Sequence, residues 1–153
     1  MSVEIGSRAP DFTLMNQDFQ PVTLSALVER GPVVLVFFPA AFSGTCTAEL
    51  CTFRDQLASY SALDAQVVGI SVDTFFALKA FGDAQGLPFP LLSDFNKEVI
   101  REYGVFNPDM IGLKGIAKRA VFVVDRGRVV RHREVLEDAR LEKVRAAVAA
   151  LGA

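Results

Sequence analysis

Val33-Val34-Leu35-Val36-Phe37-Phe38 is an unbroken run of β-branched, leucine and aromatic residues closed by Pro39. It lacks the polar alternation of a half-exposed strand, so it reads as a strand covered on both faces. Pro39 has no N–H for a sheet ladder and stops it. Just beyond, Cys46, Leu50, Phe53 and Leu57 recur at steps of four, three and four. That is one apolar stripe of a helix running from near Ser43 to about Tyr60.

The same pattern repeats outward. Val67 to Val72 reads as a second buried strand, followed by a helical stretch over Phe75 to Ala84. Leu91 and Leu92 form a short strand leading to Ser93-Asp94, a helix cap, and a helix from about Asn96 to Tyr103 stops at Gly104, where a left-handed cap fits. Short alternations at Phe12–Leu14 and Pro21–Leu24 predict an N-terminal hairpin, and Ala120–Val124 with Val129–Arg133 predicts another around Asp125-Arg126-Gly127-Arg128. The Ala-rich tail from about Asp138 to Leu151 predicts an amphipathic helix. Together these describe an α/β fold: a mixed central β-sheet flanked by helices on both faces.

Length and composition fit one domain spanning residues 1–153, with 51% apolar residues and 13 Phe but no Trp. A net charge of −2 without a basic cluster points away from nucleic acid. The longest apolar stretch, Val33 to Phe42, is about half the ~20 residues of a membrane span. The N-terminal residues show no secretory pattern, so the expected location is cytoplasmic. Two cysteines and one distant His132 are too few for a tetrahedral zinc shell, and no Gly-rich phosphate loop is present; no metal or cofactor is expected. His132 lies in a polar-alternating strand and is expected at the surface.

The chemistry centres on Cys46, just past the buried strand and in the first turn of the following helix. Unpaired N–H groups and the positive end of the helix dipole favour a thiolate there. A free thiol, with a pKa near 8.5, is only ~3% ionised at pH 7. Ionising it fully gains roughly thirtyfold in nucleophile, far less than a fast enzyme needs. The remainder has to come from donors placed at the departing oxygen. The alternative is an inert core thiol, since Cys46 begins the apolar stripe.

Pro39-x-x-x-Ser43-x-x-Cys46 resembles the signature of the peroxiredoxins. Further landmarks follow in family order: Gly6–Leu14, Leu91-Leu92-Ser93-Asp94, Tyr103-Gly104-Val105 and Arg119–Asp125. The resemblance covers nearly the whole chain. It implies a thioredoxin-like fold with an extra N-terminal β-hairpin, and an antioxidant peroxidase acting on hydrogen peroxide and organic hydroperoxides. Carried over, Cys46 is the peroxidatic cysteine that becomes a sulfenic acid, Ser43 offers its hydroxyl to thiolate or peroxide, and Pro39 shields the sulfur. Arg119 supplies a permanent positive charge, and Glu49 bonds to nearby backbone or arginine in a supporting role. Many members carry Thr where this chain has Ser43. Bland readings stand beside these: a strand-terminating Pro39 and a solvated Arg119.

Cys51 follows Cys46 by five positions, which on a helix means a turn of ~140° and Cα atoms roughly 8–9 Å apart. A disulfide needs less than ~7 Å, so the two can bond only if the helix unwinds. The Cys-x-x-x-x-Cys spacing resembles the bacterioferritin comigratory protein (Q type) group, which implies a resolving Cys51 and a disulfide. Phe37-Phe38-Pro39-x-Ala41-Phe42 and Tyr103-Gly104-Val105-Phe106-Asn107 resemble the alkyl hydroperoxide reductase E group, which implies a single working cysteine and a homodimer. Q-type relatives are often monomers. Cys51 is thus read as resolving or as a bystander, with a thioredoxin-like or other thiol protein as reductant. A redox sensor or relay would use the same residues; a thioredoxin-type oxidoreductase would need Cys-x-x-Cys, which is lacking.

Overall fold

The computed structural model describes residues 3–135 and 141–151. In chain order the elements are β1 (Thr13–Asn16), β2 (Pro21–Thr23), α1 (Leu24–Leu27), β3 (Val33–Phe37), α2 (Gly44–Asp55), α3 (Leu57–Ser61), β4 (Gln66–Ser71), α4 (Phe75–Gln85), β5 (Leu91–Ser93), α5 (Glu98–Glu102), β6 (Phe106–Asn107), β7 (Ile116–Ala117), β8 (Ala120–Val124), β9 (Val130–Val135) and α6 (Leu141–Leu151).

β3 is the centre of a seven-stranded sheet ordered β2-β1-β5-β4-β3-β8-β9. It pairs in parallel with β4, Val33 opposite Gln66, and antiparallel with β8, Phe37 opposite Ala120. β5 is parallel to β4, whereas β1 and β9 join antiparallel, so the sheet is mixed. Every residue of β3 is buried because helices cover both faces. Val33, Leu35 and Phe37 meet Leu24 and Leu27 of α1 and Val99 and Ile100 of α5. Val34, Val36 and Phe38 meet Leu50 and Phe53 of α2, Tyr60 of α3, Leu78 and Phe81 of α4, and Val144 and Val148 of α6. The expected α/β architecture with helices on both faces is therefore present, as is the N-terminal hairpin, which lies against β5.

Local chemistry explains the boundaries. The helix expected from Ser43 to Tyr60 is two helices, because Gln56 takes φ −103°, ψ 8° and leaves the helical region. The bend lets α3 turn Tyr60 into the core. The Asp94 carboxylate accepts the N–H groups of Glu98, Val99 and Ile100, satisfying the first turn of α5. Burial raises its pKa in spite of these donors. At the other end Gly104 takes φ +71°, with Val105 N–H bonding to Ile100 and Gly104 N–H to Arg101, a Schellman cap. The expected C-terminal helix is present from Leu141; its residues 138–140 lie outside the described set. No helix among the described residues is long and apolar enough to cross a membrane.

His132 departs from expectation. Its side chain is only 18% exposed, with Nε2 at 3.3 Å from buried Glu134. The reason is that α6 packs over β8 and β9 and covers the face those residues share with Val121 and Val123.

Candidate active site

β3, β4 and β5 run parallel, so their C-terminal ends share one rim of the sheet, the edge at which open α/β sheets place their sites. The connection from β3 to α2 crosses this rim. Phe38 N–H still bonds to Ile70 carbonyl at 3.0 Å, and buried Pro39 then ends the ladder. A turn follows over Ala40 to Ser43, closed by Ser43 N–H to Ala40 carbonyl at 3.4 Å. Its third residue, Phe42, takes φ +67°, a region that bulky residues enter only at a cost of roughly 1–3 kcal/mol. Two contacts hold it: Ala41 N–H donates to Asp73 Oδ2 at 2.8 Å, and the Phe42 ring packs edge-on to Phe81, centroids 5.1 Å apart.

Ser43 is the N-cap of α2, yet its hydroxyl makes no capping bond. Its carbonyl carries the first turn, accepting Thr47 N–H at 2.9 Å and Thr47 Oγ1–H at 2.7 Å. Ser43 Oγ is buried and has no hydrogen-bond partner among the described residues. Cys46 lies in that first turn, 0% exposed within the cluster of Phe38, Leu50 and Phe53. Arg119 reaches it from across the sheet. The residue immediately precedes β8, whose Ala120 is paired with Phe37, so its guanidinium arrives at the same rim. Arg119 Nη2 donates to Cys46 Sγ at 3.6 Å, while Arg119 Nε is buried without a partner among the described residues.

Of the residues singled out in sequence, Arg119 is thus brought to Cys46, while Pro39 and Ser43 lie on the connection that leads into the first turn of α2. Glu49 lies partly buried on α2, about one turn beyond Cys46. Cys51 is not brought to the sulfur. Both thiols are free, and α2 is continuous between them. Cys51 Sγ instead donates to Gln85 Oε1 of α4 at 3.6 Å, and Arg54 Nη1 bonds to the Gln85 carbonyl. Asp73, Phe81 and Gln85 also meet the loop or the helix of the site, at positions that no sequence motif marks. Asp73 carried a signal, an acidic residue just past the end of a buried parallel strand; Phe81 and Gln85 are ordinary helix residues by composition.

Residues 5–133 match the AhpC/TSA family model. The chain belongs to the AhpC/TSA family. It is 40% identical to alkyl hydroperoxide reductase E of Mycobacterium tuberculosis over 153 residues, covering 99% of this chain and 97% of that protein. It is 34% identical to a chloroplastic 2-cysteine peroxiredoxin of Chattonella marina over 145 residues, 88% of this chain and 72% of that one. The crystal structure of peroxidoxin BcpB from Mycobacterium tuberculosis superposes with a TM-score of 0.90 at 36% identity, over 97% and 98% of the two chains. A bacterioferritin comigratory protein from Xanthomonas campestris, at 24% identity and a TM-score of 0.86, shares the fold. The resemblance to peroxiredoxins of the E and Q groups is borne out at the level of the AhpC/TSA family, and the fold is thioredoxin-like.

Proposed function

We propose that this chain is a thiol-dependent peroxidase that reduces hydrogen peroxide and organic hydroperoxides with Cys46 as nucleophile. The observation that carries the reading is the polar corner around one sulfur. Arg119 Nη2 stands 3.6 Å from Cys46 Sγ, and Ser43 Oγ and Arg119 Nε keep hydrogen-bonding capacity that no described residue uses. Membership of the AhpC/TSA family supports it.

In the first step the Cys46 thiolate attacks the terminal peroxide oxygen. An S–O bond forms, the O–O bond breaks, and the departing oxygen takes a proton to leave as alcohol or water. Cys46 is oxidised to sulfenic acid while the peroxide is reduced. Arg119, which cannot lose its proton, stabilises the sulfur anion and then the charge growing on the leaving oxygen. The Ser43 hydroxyl can donate to the peroxide and accept in turn. Pro39 contributes no N–H and helps keep water from the sulfur.

In the second step Cys51 attacks the sulfenic sulfur, forming a disulfide and releasing water, once α2 unwinds. A thioredoxin-like dithiol then reduces the disulfide and is itself oxidised. The whole chain works as one domain in a reducing compartment, the cytoplasm. One observation favours a one-cysteine variant: Cys51 is tied to Gln85 on an unbroken helix. In that variant an external thiol attacks the sulfenic acid directly.

Reaction of wild type, Cys46→Ser and Cys51→Ser with one equivalent of peroxide, read by intact mass, tests both. The two-cysteine route expects an internal disulfide in wild type and a sulfenic acid in Cys51→Ser. A wild-type product with Cys51 still free selects the one-cysteine route. Wild-type reactivity in Cys46→Ser overturns the peroxidase assignment.

A further inference from the structure

The corner between β4 and α4 supplies the loop above Cys46 with a carboxylate that the reaction just described does not use. Asp73 Oδ2 accepts Ala41 N–H at 2.8 Å and the Ser71 hydroxyl at 2.7 Å. Ser71 is wholly buried at the end of β4, and its Oγ accepts Asp73 N–H at 3.2 Å. The Asp73 carbonyl accepts the Ser93 hydroxyl from the end of β5 at 2.6 Å. Asp73 is therefore tied to two strand ends, its carboxylate to β4 through Ser71 and its backbone to β5 through Ser93.

What it holds is a turn that does not hold itself. Phe42 sits at φ +67°, and the closing bond from Ser43 N–H is long at 3.4 Å. A turn with a bulky residue at positive φ persists only where its surroundings over-determine it. Ala41 has Pro39 two residues before it and Ser43 two residues after. Any displacement of Ala41 moves the shield and the hydroxyl relative to the sulfur.

We propose that Asp73 is a positioning residue of the peroxidase site: its Oδ2, pinned by Ser71, fixes Ala41 and through it sets Pro39 and Ser43 over Cys46. The role rests on the peroxidase reading given above. It is one of placement and not of charge, because both donors converge on a single oxygen. An amide oxygen in the same place accepts the same two bonds.

The test uses the full-length reduced protein as wild type, Asp73→Ala, Asp73→Asn and Ser71→Ala, each checked for folding by circular dichroism. Two rates are read at Cys46 by mass: oxidation by hydrogen peroxide and alkylation by iodoacetamide. Asp73→Ala is expected to lose about tenfold or more in the peroxide rate, the scale of loss for a small misplacement of reacting groups, while its alkylation rate rises as the loop releases the sulfur. Asp73→Asn is expected to stay near wild type for both reagents, and Ser71→Ala to fall between. Because unfolding would also bare the buried sulfur and raise alkylation, both rates are read where denaturant melts show every variant fully folded, and there the opposite movement reports the loop alone. Wild-type rates in Asp73→Ala, or an Asp73→Asn as impaired as Asp73→Ala, would overturn the proposal. If Asp73→Ala does not fold, the same pair of rates in Ser71→Ala decides, and unchanged rates overturn it. If wild type consumes peroxide no faster than a free thiol, the peroxidase reading falls; alkylation still judges the loop, and equal rates in wild type and variants overturn the placement role.

Discussion

Replacing Arg119 with Met removes the charge beside the sulfur while keeping a long, partly buried side chain. At the 3.6 Å separation of Nη2 and Sγ, a pair of unit charges interacts by about 4–5 kcal/mol at an effective dielectric near 20, and by about 1 kcal/mol in bulk water. Arg119 is half-buried, so its contribution falls between these limits, about 2–3 kcal/mol. At about 1.4 kcal/mol per factor of ten, Arg119→Met should slow peroxide reduction roughly 30- to 150-fold. Arg119→Lys keeps a charge but loses the planar fork that can touch sulfur and peroxide oxygen together, and should be intermediate. The assay is rapid mixing of reduced protein with excess hydrogen peroxide at fixed pH, with Cys46 sulfenic acid as readout. An Arg119→Met protein that folds and reacts within about twofold of wild type would refute the electrostatic role derived from this distance.

Two further predictions separate stability from chemistry. Ser43→Ala should leave the unfolding free energy nearly unchanged, because the hydroxyl makes none of the capping bonds usually worth about 1 kcal/mol, yet should slow peroxide reduction about tenfold or more. Ser43→Thr should retain the rate; denaturant melts and the rapid-mixing assay check both. For Asp125, burial pushes the carboxyl up, but bonds from Val129 N–H, Arg131 and Gly127 N–H outweigh it and hold the pKa below the usual value. A pKa lower in the folded than in the unfolded chain means stabilisation at neutral pH that fades as pH falls through about 4 and below. Asp125→Asn should therefore cost about 1 kcal/mol near neutrality, given the exposure of Arg131, and show a shallower loss of stability on acidification. Parallel acid limbs in wild type and variant would contradict this.

The parts of the fold legible in sequence were those written in long apolar patterns. β3 and β8 sit where continuous β-branched runs placed them, and α2 buries the stripe of Cys46, Leu50 and Phe53. Gly104 stops α5 by the backbone freedom that suggested it. The bend at Gln56 was hidden because Leu57 continues the stripe in sequence even though the axis changes. β6 and β7 were missed because two-residue strands, paired Phe106 to Ala117 across an eight-residue loop, have no periodicity to detect. His132 misled because polar alternation reports one face of a strand as solvent-facing, whereas α6 covers it from far along the chain. At the site, residue types named Cys46, Ser43 and Arg119, but their convergence depends on the pairing of β3 with β8. Asp73 could not be tied to Ala41 without knowing that β4 lies beside β3.

The two ends of the sheet differ from its apolar centre in a way that bears on solubility. β2, at one border, is three residues long and begins with Pro21, so it offers a visiting strand little ladder and one donor fewer. β9, at the other, carries Arg131 and Arg133. Backbone bonds from Gly6 N–H to Val130 carbonyl and from Val130 N–H to Ser7 carbonyl cover its first residue, and one from Ala9 N–H to Arg128 carbonyl covers the turn before it. Short, charged or covered borders are how sheets avoid growing by accretion of neighbouring molecules. A core as rich in valine and phenylalanine as β3 and β8 can in this way stay dispersed when the protein is abundant.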